Sequence, residues 1–111
     1  MKPEISYDDF VKIDIRSGMI TKSEAVPKSK KLVKLEVFFG PEVGPRTILA
    51  GIAGSYSVEG LVGQLVVAVI NLAPREIMGE TSHGMLLCGH SDDGKPQLVQ
   101  CFSGVLGSEI G

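Results

Sequence analysis

The chain has no tryptophan, two cysteines and two histidines, and aromatic residues make up 5% of its 111 positions. A core without large rings has to be mostly aliphatic. The cysteines, Cys88 and Cys101, form no short-spaced metal pair, and both are expected as buried thiols. The N-terminal Met1-Lys2-Pro3-Glu4 lacks the long apolar segment of a secretion leader, so a cytoplasmic protein is expected. No apolar run approaches the roughly 18 residues needed to span a membrane. His83 and His90 stand outside any His-x-Glu or Cys-x-x-Cys pattern. Gly51-Ile52-Ala53-Gly54-Ser55 lacks the lysine and spacing of a phosphate loop. No nucleophile–base pair, paired acid and base or metal cluster stands out, so no enzyme, metal or cofactor is expected. An excess of one charge is missing too. A net charge of −2 argues against indiscriminate coating of nucleic acid, and it allows one basic face.

Glycine is abundant, at 14 residues, and 43% of the chain is hydrophobic against 22% charged. These values suit one folded, soluble domain over residues 1–111, rich in turns and bent strands. Positive charge is concentrated: Lys22, Lys28, Lys30, Lys31 and Lys34 fall close together, opposed only by Glu24. They are either phosphate ligands or a solvated face.

Along the chain, Ser6 and Asp9 have capping-box spacing around a short helix, with Phe10 placed to plug one end of a core. Alternation predicts a first strand from Val11, interrupted by Gly18, where a bulge or tight bend fits. A second strand follows over residues 31–40, a turn over 41–45 and a third strand over 46–53. Residues 57–61 allow one helical turn. The fourth strand, 64–71, is apolar on both faces through Leu65–Ile70, so it needs cover on both sides and hints at a second copy. A fifth strand covers 85–89, an Asp-Gly turn sits at 92–95, and a further strand runs to Phe102. The apolar tail after Gly104 packs either on its own sheet or on a second subunit. Short strands, dense glycine and little helix predict an all-β small barrel.

Residues 71–85 join two of the apolar strands, and support of that kind is where binding residues tend to lie. Arg75, preset by Pro74, can meet a phosphate, stack on a base or pair with Glu76 or Glu80. Asn71 can read a base edge or cap the turn. Ser82 can donate to phosphate or hold the turn before Gly84. Met85 is either core or a rim group that receives an unstacked base. His83 reads as an exposed turn residue.

The segment Asn71-Leu72-Ala73-Pro74-Arg75-Glu76-Ile77-Met78-Gly79-Glu80-Thr81-Ser82-His83-Gly84-Met85-Leu86-Leu87 resembles the signature of the tRNA-binding domain found in some methionyl-tRNA synthetases, in synthetase-associated cofactors and as small free-standing proteins. Residues 9–18, 31–35, 48–53 and 61–64 match the same family in order. The resemblance implies a five-stranded OB-fold barrel with a short N-terminal helix and a C-terminal β extension. It implies that residues 90–111 form a dimerisation extension. It implies tRNA as the partner, a homodimer and possible association with a synthetase chain, without a membrane. By position, Asn71, Arg75, Ser82 and Met85 fall on RNA-contacting sites, and Lys31 on the family's strand-two lysine. Gly18, Gly51, Pro74, Gly79 and Gly84 match structural positions. Lys28, Lys30 and Lys34 join Lys31 as expected phosphate ligands. The sequence departs where the family often has His-Pro followed by an acidic residue: here Val26-Pro27 and Lys30 stand. Secretion chaperones of the same fold are the rival reading, with peptides in an apolar groove around Phe38, Met78 and Met85. A synthetase-docking module is another. The intact Ser82-His83-Gly84-Met85-Leu86-Leu87 favours the tRNA-binding branch.

Overall fold

Alternation builds the barrel wall. In β2 (Val33–Phe38), Val33, Leu35 and Val37 are buried, as is Phe39 one step on, while Lys34, Glu36 and Phe38 are half-buried on the other face. The computed structural model describes residues 1–101 and 105–111. β1 (Ile15–Ala25), β2, β3 (Pro45–Ala50), β4 (Leu65–Val69) and β7 (Met85–Leu86) form a five-stranded antiparallel sheet in the order β3-β2-β1-β4-β7. The sheet curls until β3 lies against β7 and a hairpin of β5 (Arg75–Ile77) and β6 (Glu80–Ser82), nearly closing an OB-fold barrel. Among the described residues the buried core is aliphatic except for Phe39: Ile20, Val33, Leu35, Val37, Ile48, Ile52, Leu61 and Val66 are each at most 2% exposed. A 3-10 turn, Glu59–Leu61, sends Leu61 into that core before β4. A short ribbon of β8 (Cys88–His90) and β9 (Pro96–Leu98) forms the C-terminal extension.

Several expectations are corrected. The first strand starts at Ile15, not Val11. The helix α1 (Tyr7–Phe10) is capped by the Ser6 hydroxyl, which accepts from the Asp9 N–H. Turn hydrogen bonds then carry the chain to Ile13, leaving Val11 and Ile13 exposed. Phe10 is also exposed and plugs nothing in this chain. Residues 40–43 form a one-turn helix, α2 (Gly40–Val43). The third strand stops at Ala50, although Ile52 stays buried. The predicted fifth strand is divided into β7 and β8 at Leu87, whose N–H still donates to Val67 O of β4 while its carbonyl accepts from the Val99 N–H. Cys88 and Cys101 are half-buried rather than buried, and burial pushes the Cys88 thiol pKa up. The last strand stops at Leu98, short of the predicted end at Phe102, which itself lies outside the described residues.

Gly18 has a different task from the one its position suggested. The irregularity in β1 falls between Ile20 and Lys22. At Gly18 a Cβ would lie 2.7 Å from Phe39 Cδ1 and 2.8 Å from Val37 Cγ1. The glycine makes room for the Phe39 ring, which is fully buried.

β4 is covered on both faces by this chain alone, with Val67 and Val69 at 4% and 6% exposure, so its composition does not require a second copy. The tail returns to the free edge of β1: Ser17 N–H donates to Ser108 O, Gly107 N–H to Ser17 O, and Ile110 N–H to Ile15 O. Arg16 fastens it, donating to the Gly107 carbonyl at 3.1 Å while Asp14 holds the same guanidinium at 2.7 Å.

Candidate nucleic-acid interface

The segment between β4 and β7 is not a plain loop. Residues 75–82 fold back as the β5–β6 hairpin, with Arg75 opposite Ser82 and Ile77 opposite Glu80. Its tip is Met78-Gly79, with φ of 52° and 81°. A two-residue turn with both φ values positive matches the strand twist, and glycine or asparagine is the usual occupant. Methionine at the first of these positions hides the usual sequence signal of such a turn.

Three of the predicted contact residues, Ser82, Asn71 and Lys34, have polar groups engaged within the fold, Asn71 while remaining exposed. Ser82 is buried; its hydroxyl accepts from Leu49 N–H at 3.0 Å and donates to Gly84 O at 3.2 Å, spanning the seam between β3 and the hairpin. Beside it, His83 N–H donates to Thr47 O at 2.7 Å. Asn71 clamps the segment after α1: its Oδ1 accepts from Asp14 N–H at 2.8 Å and its Nδ2 donates to Lys12 O at 2.7 Å. Lys34 donates to Glu80 at 3.0 Å and lies 4.0 Å from Glu24, which ties β2 to the hairpin across β3. Glu80 raises the Lys34 pKa, so the lysine stays charged, with that charge already answered. We expect Ser82→Ala to destabilise the fold by about 1–2 kcal/mol, because it strands a buried Leu49 N–H. Urea unfolding measures this, and a midpoint equal to the parent's would show that the hydroxyl does not hold the seam.

The other predicted residues are open to solvent. Arg75, Met85, Lys28, Lys30 and Lys31 are exposed, and among the described residues none of the four cations makes an ion pair. Arg75, Met85 and Lys31 line a groove made of three adjoining hollows. Under the hairpin it is a hollow of about 420 Å³ lined by Leu49, Leu72, Arg75, Ile77 and Met85. Leu49 and Met85 also line the next stretch, between the end of β3 and β7–β8. Gly51, His90 and Pro96 carry it into a third hollow bordered by Lys31. Arg75 and Lys31 therefore stand at opposite ends of one track, with the Met85 thioether between them. Lys22 is elsewhere, paired with Glu36 at 3.7 Å. Among the described residues no group of His, Cys, Asp and Glu could hold a metal ion, and no helix is long and apolar enough to cross a membrane.

Comparison with known proteins agrees with this architecture. Residues 15–105 match the family described as "Putative tRNA binding domain". The methionine–tRNA ligase of Archaeoglobus fulgidus is 49% identical over 98 residues, covering 88% of this chain and 14% of the ligase. That of Cytophaga hutchinsonii is 44% identical over 112 residues, covering 100% of this chain and 16% of the ligase. The chain thus spans about one-seventh of such relatives, and it corresponds to a small non-catalytic module rather than to the ligase catalytic core. Among solved structures, a MetRS-related protein from Pyrococcus horikoshii superposes with a TM-score of 0.90 at 35% identity, covering 99% of this chain and 100% of that one. The chaperone CsaA from Bacillus anthracis gives 0.88 at 32% identity, covering 98% and 100%. Family, barrel topology and hairpin-flanked groove agree: this chain belongs to the tRNA-binding-domain family, as an OB-fold module related both to the C-terminal domains of methionyl-tRNA synthetases and to free-standing CsaA-type proteins.

Proposed function

We propose that this module holds folded RNA, tRNA first among its kinds, along the groove that runs from Arg75 to Lys31. Kinship supports an RNA- or peptide-binding role. The observation that carries the choice of RNA is the pairing pattern of the cations. Lys34 and Lys22 are answered by carboxylates, whereas Arg75 and Lys31 line the groove, and Lys28 and Lys30 precede Lys31 as exposed residues, all without ion-pair partners among the described residues. Phosphates are gripped by such groups, and Met85 offers an apolar seat for an unstacked base. Recognition is then by shape, through phosphates and exposed bases, since the deep groove of an RNA helix is closed to side chains. Asn71 and Ser82 contribute by holding the frame. Two copies acting together would present two grooves to one tRNA, and attachment to a synthetase chain would raise tRNA concentration near the catalytic site.

A salt titration tests this. Four phosphate contacts predict that log K for tRNA falls with log salt at a slope of about −3. A duplex and a single strand of equal length serve as comparisons, with the mass of each complex measured. The peptide reading is favoured by the apolar lining at Leu49, Leu72 and Met85 and by the chaperone named among the structural relatives. Peptide affinity that is flat with salt, with no tRNA binding, would decide for it.

A further inference from the structure

The far end of the groove is a hollow of about 300 Å³ in which only Lys31 has a role in the reading so far. Three segments border it: Lys31 before β2, Gly51, Gly54 and Ser55 after β3, and the β8–β9 ribbon through His90, Pro96 and its Asp93–Lys95 turn. They are tied to each other. Ala53 N–H donates to Lys31 O at 2.9 Å, and Leu98 N–H donates to the Tyr56 hydroxyl at 2.9 Å. The position of Lys95 relative to Lys31 is therefore set by the fold.

Two features point to an anionic ligand. Gly51 and Gly54 have no positive φ, and a Cβ on either would meet nothing within 4 Å, so the chain itself has no need of glycine there. Glycine at an unstrained, open position suits close approach of a ligand to the backbone. The charge balance is positive as well. The one carboxylate in the hollow, Asp93, has its Oδ1 engaged by the Ser91 hydroxyl and by Lys95 N–H and pairs with the Lys95 ammonium at 4.0 Å, which leaves two lysines against one carboxylate. Lys31 and Lys95 remain exposed, with the Ser55 hydroxyl as a further donor.

We propose that this hollow is a phosphate subsite, taking one phosphate of an RNA strand that continues along the groove from Arg75. The subsite rests on the RNA reading of that groove. It adds Lys95, Ser55 and the backbone at Gly51 and Gly54 to the binding surface.

The test uses the full chain and tRNA in rising salt. Lys95→Ala should weaken binding by about three- to tenfold and flatten the salt slope by about 0.7–1, as for one lost phosphate contact. Gly54→Val should weaken binding as much by occupying the hollow, with an unchanged thermal midpoint. Lys22→Ala, on the far wall, should change neither. Inorganic phosphate, followed by amide shifts at Gly51, Gly54 and Gly94, is the second arm. Shifts that disappear in Lys95→Ala support the subsite. If Lys95→Ala and Gly54→Val both bind tRNA like the parent, the RNA continuation is overturned, and phosphate-induced shifts in that case would assign the hollow to a free phosphate compound. If Arg75→Glu weakens tRNA while both subsite variants do not, the groove reading stands and this inference alone fails. If the parent does not bind tRNA, the groove reading itself fails.

Discussion

Replacing Gly18 with valine is expected to cost this protein about 3 kcal/mol or more, the upper range for overpacking a filled core. For a domain of this size the thermal midpoint should fall by roughly 12 °C or more. The cause is local. A single added carbon would stand 2.7 Å from the Phe39 ring and 2.8 Å from Val37, both 0% exposed. Neither neighbour can swing into solvent, and Gly18 is held in the ladder opposite Val66. The added volume has to displace Phe39 or open the β1–β4 pairing. Calorimetry of Gly18→Ala, Phe39→Leu and the double variant checks the mechanism, since shrinking the ring should return part of the loss. Strict additivity, or a Gly18→Val protein that melts with the parent, would show that the ring is not what glycine accommodates.

Arg75→Glu is expected to reduce tRNA affinity about 100-fold, from loss of a charge-assisted contact plus repulsion by the new carboxylate. Far-ultraviolet dichroism and melting should stay as in the parent, because Arg75 is exposed and makes no ion pair among the described residues. Arg75→Lys should lie between, keeping charge and losing the planar fork. A tRNA affinity for Arg75→Glu within about twofold of the parent would remove the arginine from the interface, since a lost charged contact is worth more than that. Peptide binding that survives the substitution would then favour the chaperone reading.

The fold was legible wherever one face of a strand is buried and the other is wet. Val33, Leu35, Val37 and Phe39 declare β2 by their spacing, and the unbroken apolar run Leu65–Ile70 declares a strand covered on both faces. The same alternation misled at Val11 and Ile13, because a capped helix and its turn occupy that stretch and leave both residues exposed. Periodicity records which residues are apolar, not whether they are covered. The hairpin at residues 75–82 escaped notice because its strands are three residues each and its turn begins with methionine.

The sequence by itself determined an all-β barrel, its aliphatic core and the set of polar residues around Arg75 where binding was expected. It could not divide that set into residues whose polar groups the fold engages and residues whose groups it leaves open. Only the tertiary structure did so, by bringing partners together from distant parts of the chain. Leu49 N–H meets the Ser82 hydroxyl, Lys12 and Asp14 meet the Asn71 amide, and Glu80 meets Lys34, whereas Arg75 and Lys31 meet no such partner among the described residues. A polar side chain is available to a ligand only when the fold has not already satisfied it, and that depends on neighbours in space.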